Sequence, residues 1–404
     1  MSERLLHTPE GVRDIYNAEC EKKSMLEERL RHHLHLYGFR DIETPAFEFF
    51  DIFSEERGTV SSKEMYKFFD REGNTLVLRP DMTPSIARCM AKYYREETMP
   101  VRFCYIGDTF VNNTSYQGKL KQVTQLGAEL LNDSTVEADA EMVAMTVDCL
   151  LASGLKRFQV EIGQADFFRG LMEEALIDEQ EAEELRLLIE DKNMFGVEEI
   201  ISGKKLPDGL KEVILKLPEL FGSVSHLDYV SGKITNARAL GAIGRLKALY
   251  ALLCEYGFEE YITFDLGMLS KFDYYTGIIF RAYTFGTGDA VASGGRYDGL
   301  VKQFGKDAPA IGMAVIVNQL LCALSRQDLL EEPKPKNTLL VYPKEQGKKA
   351  VALAKAMRAE GRRVELLLMD CGADQNDYVL YAGRMHLKTV LFISGTGEIT
   401  EVNP

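Results

Sequence analysis

The sequence predicts an α+β chain with a helical insertion and a small α/β domain at its end. Three observations carry this. Residues 105–131 read as two strands joined by a polar loop, with Phe103, Tyr105 and Phe110 marking the first strand and 125–131 ending the second. Residues 166–258 are dense in Leu and Glu, with acidic runs such as 179–190, and read as inserted helices whose charges are solvated faces. Residues 331–336, EEPKPK, form a linker by their prolines and alternating charge, and strands alternate with helices beyond it, which argues a small parallel sheet. The expected division is a core over 1–325, a linker over 326–337 and a terminal domain over 338–404.

In chain order, 7–15 is a loop carrying Pro9 and Gly11. A helix is expected over 19–37, where Leu26, Leu30, Leu34 and Tyr37 recur on one face and Gly38 stops it. His32, His33 and His35 give no metal site on sequence, since only His32 and His35 share a face and no neighbouring carboxylate or Cys completes a set. A strand over 39–47, a polar loop over 54–65 and a hairpin of 66–70 with 76–78 follow. The hairpin runs into Arg79-Pro80-Asp81-Met82-Thr83-Pro84, which opens a helix to about Tyr94; Asp81 and Thr83 suit its cap.

After the strand pair, Ser134-Thr135-Val136-Glu137 reads as a capping box for a helix ending near Gly154. Residues 158–162 alternate as a strand, and strand character returns after the insertion at 261–266 and 273–283. The stretch 284–295 is rich in glycine but lacks the GK[ST] of a phosphate loop. Residues 296–300 lead into a helix, 310–315 form a strand and 318–325 start another helix. The terminal unit reads as strand 338–343, helix 348–360, strand 363–369, helix 374–387 and strand 389–393.

The chain has 404 residues, ample for two or three domains with cores of their own. Its formal net charge of −14 is poor for gripping a polyanion, because nucleic-acid affinity comes largely from Lys and Arg on phosphates. Seven scattered cysteines without CxxC suit reduced thiols, and no run approaches a membrane span. A cytoplasmic protein without membrane contact is expected.

No GxSxG, HExxH or other standard nucleophile or metal set is present. A scattered polar set remains: Asp81, Thr83, Gln125, Glu129, Asp273, Tyr274 and Tyr275. Gln125 and Glu129, four apart on a strand, share one face. Two acids with a Tyr pair suit a small ligand bearing an amine or imidazole. Structural hydrogen bonding is the competing reading for each residue.

The order HTPEGVRDI, LRPDMTP, QLGAE, FDYYTG and SGGRYDGLV resembles histidyl-tRNA synthetase, a class II synthetase, over most of 1–325. The resemblance implies an antiparallel sheet of six or seven strands flanked by helices, with a tail like a shortened anticodon-binding domain. It implies that Asp81, Thr83 and Gln125 surround a histidine amine and that Glu129, Tyr274 and Tyr275 surround its imidazole. Asp81 departs from the family's usual Glu-Gly, since Met82 follows it.

Positions at which the family holds ATP carry Val111 and Asn113 in the second motif and Asn318-Gln319 in place of the third motif's Glu-Arg; Ser270 replaces a second catalytic Arg. Loss of such charge-assisted contacts would remove adenylation. This combination resembles the regulatory-subunit group of ATP phosphoribosyltransferase. It implies a non-catalytic chain with no cofactor, no metal and no tRNA. It further implies a homodimeric core, a short-form catalytic subunit as partner and histidine as effector. An active divergent synthetase and a synthetase-like binding module for another partner are the competing readings.

Overall fold

A computed structural model of the chain describes residues 6–53, 60–113, 119–269, 275–333, 337–370 and 372–404. The chain divides into two compact units, Met1–Leu330 and Glu331–Pro404.

The first unit opens with α1 (Asn17–Leu36), whose Leu26, Leu30 and Leu34 are buried as the spacing predicts. The segment expected as one strand over 39–47 is split into β1 (Arg40–Asp41) and β2 (Phe47–Phe49). The reason lies at its middle. The Arg79 guanidinium takes the carbonyls of Thr44 and Pro45 at 2.6 and 3.3 Å, and Pro45 has no N–H to give a ladder. The hairpin β3 (Lys67–Phe69) and β4 (Thr75–Leu78) joins β2 in a three-stranded sheet. Then come α2 (Thr83–Tyr93), the long pair β5 (Val101–Phe110) and β6 (Gln122–Leu131), and α3 (Val136–Ala152). Thr135, not Ser134, caps α3, accepting from the Ala138 N–H at 3.2 Å. Asp133 takes the Thr135 N–H and so moves the helix start one residue on from the expected capping box.

β7 (Phe158–Gln164) leads to the insertion: α4 (Ala165–Ala175), α5 (Glu179–Glu190), α6 (Met194–Ser202), α7 (Asp208–Lys216), the short β8 (Phe221–Gly222), α8 (Ser225–Ser231) and α9 (Ala237–Glu255). Its interior is continuous with the main core, since Leu185, Leu210 and Leu246 belong to the same apolar cluster as Leu30 and Leu126. β9 (Ile262–Asp265), β10 (Ile278–Thr284), β11 (Ala292–Arg296), β12 (Ala310–Ile316) and α10 (Val317–Arg326) complete the unit. The helix expected after 300 is one 3-10 turn, Val301–Phe304, closed by Gly305 at φ +93°. No described helix is long and apolar enough to cross a membrane.

The main sheet runs β1-β5-β6-β12-β11-β10-β7-β9-β8. It is mainly antiparallel, with parallel pairs at β1–β5 and β7–β9. It has nine strands among the described residues rather than six or seven, and the edge strands β1 and β8 span only two residues each. Alternation divides its faces. Leu126, Ala128 and Leu130 of β6, with Ile311, Met313 and Val315 of β12, enter the main core with α1, α3 and α9. The opposite face carries Gln125, Gly127 and Glu129 beside Gly312 and Ala314. A second apolar cluster (Met82, Ile86 and Met90 with Phe103, Tyr105 and Tyr297) covers part of that face.

The second unit is a four-stranded sheet, β14-β13-β15-β16, from β13 (Asn337–Tyr342), β14 (Arg363–Leu368), β15 (Thr389–Ile393) and β16 (Ile399–Val402). Its first three strands are parallel as the alternation predicts; β16, not foreseen, pairs antiparallel with β15. α11 (Gly347–Ala359) packs Ala350, Ala354 and Met357 with Leu340 and Ile393, and α12 (Gln375–Arg384) packs Tyr378 and Ala382 with Val341 and Phe392.

Candidate functional site

The open face of the main sheet borders a cleft of ≈ 1030 Å³. Asp81, Thr83, Gln125, Glu129 and Tyr275 all line it, as do Val111, Asn113 and Gln319. Tyr274 and Ser270 lie outside the described residues. Sequence positions as far apart as Asp81 and Gln319 thus share one cavity.

Glu129 is the centre of its buried end, with 1% of its surface exposed. Gly312 sits opposite it on β12, and a Cβ there would lie 1.7 Å from Glu129 Oε2. Only glycine leaves the carboxylate its place. Gly127 does the same for Tyr105, whose hydroxyl a Cβ at 127 would approach to 2.4 Å. Thr83 Oγ1 donates to Glu129 Oε1 at 2.9 Å, and the Tyr297 hydroxyl donates to Oε2. Both donors are neutral. Among the described residues no cation pairs with Glu129. Burial therefore dominates and pushes its carboxyl up to about 8, against the two hydroxyls, with Asp81 adding to the rise.

The expected caps of α2 divide their roles. Asp81 Oδ1 accepts the Thr83 N–H at 3.2 Å, whereas the Thr83 hydroxyl is committed to Glu129. Burial raises the Tyr275 hydroxyl, and Asp81 and Glu129 raise it further, so these three groups sense one another across the cleft. Gln125 is half-buried, two alternations from Glu129 on the same strand face. Tyr105 and Tyr297 are site residues that the sequence reading did not single out. Tyr297 lies inside SGGRYDGLV, and its spacing from Glu129 gave no sign of their contact.

The rest of that motif builds the wall. Arg296, 3% exposed, reaches Asp139 of α3 from Nε at 2.8 Å, and Asp139 also accepts from Arg245 at 2.6 Å. Asp298 accepts the Ala310 N–H at 2.9 Å and fixes the start of β12.

Of the positions that the resemblance assigns to a nucleotide, Val111, Asn113, Asn318 and Gln319 are half-buried and uncharged. Asn318 Oδ1 is used structurally, accepting the Thr124 N–H at 2.8 Å. Asn113 Oδ1 is buried without a hydrogen-bond partner among the described residues. Three exposed basic residues, Arg13, Lys119 and Arg326, also line the cleft, so its margin is less depleted of cations than the sequence reading implied. Arg13 is tied to Glu19 and Arg326 to the Gly286 carbonyl.

His35 has neighbours that the chain around it does not reveal. The β1–β5 pairing brings Asp41 and Cys104 to it, and their ligand atoms with that of His35 lie within 4.8 Å of one another. A carboxylate and a thiol are therefore near, contrary to the sequence reading. Asp41 is engaged by Arg31 at 2.8 Å and His35 at 3.0 Å. Burial pushes the Cys104 thiol up to about 12, which opposes the thiolate a metal would need.

A histidyl-tRNA synthetase family model matches residues 11–320. The chain is 42% identical to an ATP phosphoribosyltransferase regulatory subunit of Acetivibrio thermocellus, over 91% of this chain and 88% of that protein. It is 39% identical to the like-named protein of Ruminiclostridium cellulolyticum, over 99% and 95%. A crystal structure from Bacillus halodurans, described as an ATP phosphoribosyltransferase regulatory subunit/histidyl-tRNA synthetase, superposes with a TM-score of 0.86 at 29% identity, covering 96% of this chain and 98% of that one. The histidyl-tRNA synthetase of Nostoc sp. shares the fold, with a TM-score of 0.80 at 19% identity over 98% and 96%.

Proposed function

The chain belongs to the histidyl-tRNA-synthetase-like regulatory subunits of ATP phosphoribosyltransferase, proteins of histidine biosynthesis, and from that premise we propose that it binds histidine in its cleft without activating it. Glu129 carries the reading. It is a buried acid held by two neutral hydroxyls, with no cation beside it among the described residues. Such a group is costly unless a ligand supplies the missing N–H donor, and an imidazole does. Asp81, Thr83 and Gln125 would hold the ligand's amine, and Tyr275, with Tyr274, would flank its ring.

Val111, Asn113, Ser270 and Gln319 stand where charged groups would hold a nucleotide for reaction. Their neutrality supports a non-catalytic role. The basic residues Arg13, Lys119 and Arg326 favour the second reading, a divergent synthetase. Histidine-dependent ATP–pyrophosphate exchange separates the two: none is expected, and clear turnover would establish the synthetase.

The partner in this reading is the short-form catalytic subunit, and the core is a homodimer. Phe47, Phe49 and Phe68, which are exposed on one face of the small three-stranded sheet, support a covered face there. Histidine can regulate the assembly only by binding its inhibited state more tightly than its active state. The test is phosphoribosyl transfer by the short catalytic subunit with this chain added. Activity should require the chain and fall with histidine. The Glu129→Gln chain should still activate but lose the response to histidine; an unchanged response would refute the assignment of the effector site.

A further inference from the structure

A second cavity, of ≈ 470 Å³, lies along β7, β9 and β10 and the stretch joining α5 to α6. It is on the same sheet face as the first cleft, because Arg281 in its lining is the cross-strand partner of Ser293, which lines the first. Five charged side chains border it, and one of them, Glu190, is already paired with Arg186 at 2.5 Å. Glu161 and Arg281 are neighbours on β7 and β10. Asp265 ends β9. Lys192 follows α5 with φ +52°, a left-handed conformation unusual for a side chain of its length.

Such groups ordinarily pair, above all when opposite charges face each other across antiparallel strands. Here the other four do not pair with one another. Asp265 Oδ1 accepts the Gly267 N–H at 2.9 Å. Beyond the backbone contacts of Asp265 with Gly267 and Met268, none of these four side chains makes a hydrogen bond or ion pair among the described residues. Burial raises the carboxyls of both Glu161 and Asp265 and Asp265 raises Glu161 further, while Lys192 and Arg281, without touching either acid, partly offset the rise. Besides the paired Glu190, the folded chain thus holds two acids and two bases around a space, half-buried except for Lys192, without letting them form direct ion pairs with one another.

We propose that this cavity binds an amphoteric small molecule of the α-amino-acid class, its cationic group toward Glu161 and Asp265 and its carboxylate toward Arg281 and Lys192. A simple anion would face the two acids and a simple cation the two bases; a zwitterion satisfies both pairs. A metal ion fits poorly, because the cluster with metal-ligand spacing among the described residues is His35, Asp41 and Cys104, elsewhere in the fold. The volume falls in the ~300–1,000 Å³ range of small-molecule sites. The site is independent of the histidine reading of the first cleft.

The test is thermal unfolding of the full chain with each proteinogenic amino acid in turn at millimolar concentration, repeated on Arg281→Gln, Lys192→Gln and Glu129→Gln. At least one amino acid should raise the melting temperature of the wild type and of Glu129→Gln. Binding should weaken at least about tenfold in Arg281→Gln and in Lys192→Gln, from loss of a charge-assisted contact. Lys192 is exposed, so its variant decides the matter even if Arg281→Gln fails to fold. No shift in the wild type, a shift undiminished in Lys192→Gln, or a shift abolished by Glu129→Gln would overturn the proposal.

Discussion

Histidine affinity should be flat between about pH 6.5 and pH 8, and fall on either side. The perturbation is pH alone, and the flatness comes from Glu129. Burial lifts its carboxyl from 4.5 to about 8, so in the empty cleft it keeps its proton through neutral pH. A free imidazole titrates near ~6.5. A carboxyl–imidazole contact holds one proton, whichever partner carries it. Between those two values the separated partners already bring that one proton, and binding exchanges none. Above pH 8 the bare carboxylate must take up a proton, and below about 6.5 the ligand must lose one, so affinity falls toward tenfold per pH unit on each side. Had Glu129 kept an ordinary value, affinity would instead drop about thirtyfold across the window. Calorimetric titration in buffers of differing ionisation heat measures both affinity and protons exchanged. A steady tenfold loss per pH unit, with uptake of one proton, would refute the reasoning. The same rise costs the unliganded chain stability. Between pH 4.5 and about 8 the folded state holds a proton that the unfolded state has released, so stability falls as pH rises. Roughly 4–5 kcal/mol at most accumulates by pH 8. Glu129→Gln, neutral at every pH, should escape that loss, so its stability advantage over wild type should widen with pH.

Thr135→Ala should lower stability by about 1 kcal/mol in denaturant unfolding, whereas Ser134→Ala should be nearly silent; the reverse order would restore the capping box to its expected place. Arg296→Gln leaves the buried Asp139 with Arg245 alone and should cost about 3–5 kcal/mol by the same measurement. Gly312→Ala must displace the Glu129 carboxylate and should abolish histidine binding in a titration, a loss that Gly244→Ala, in open space on α9, should not share.

Local pattern made much of the fold legible. The Leu repeat of α1, the strand pair β5–β6 and the alternating terminal unit all follow from short-range periodicity, which the chain obeys where one face is buried. The failures have tertiary causes. Arg79, more than thirty residues away, takes the carbonyls that would have continued β1, and Asp133 resets the start of α3. The helical insertion reads as a separate body because its Leu–Glu texture differs, yet its apolar side joins the main core. Within the site, Gln125 and Glu129 are readable because two polar residues four apart in an otherwise apolar stretch of strand share one face. Tyr297 is not, because its role is created by the β11–β12–β6 registers that carry its hydroxyl to Glu129. The two glycines that make room for Glu129 and Tyr105 were likewise invisible until those registers were known.

The claim that this chain retains histidine recognition is tested most directly by titrating histidine into the isolated chain and into its Glu129→Gln variant at pH 7.5. The expected result is saturable binding at one site per chain in the wild type, weakened at least about tenfold in the variant by loss of a buried charge-assisted bond. No binding at millimolar histidine, or equal binding by both chains, would contradict it.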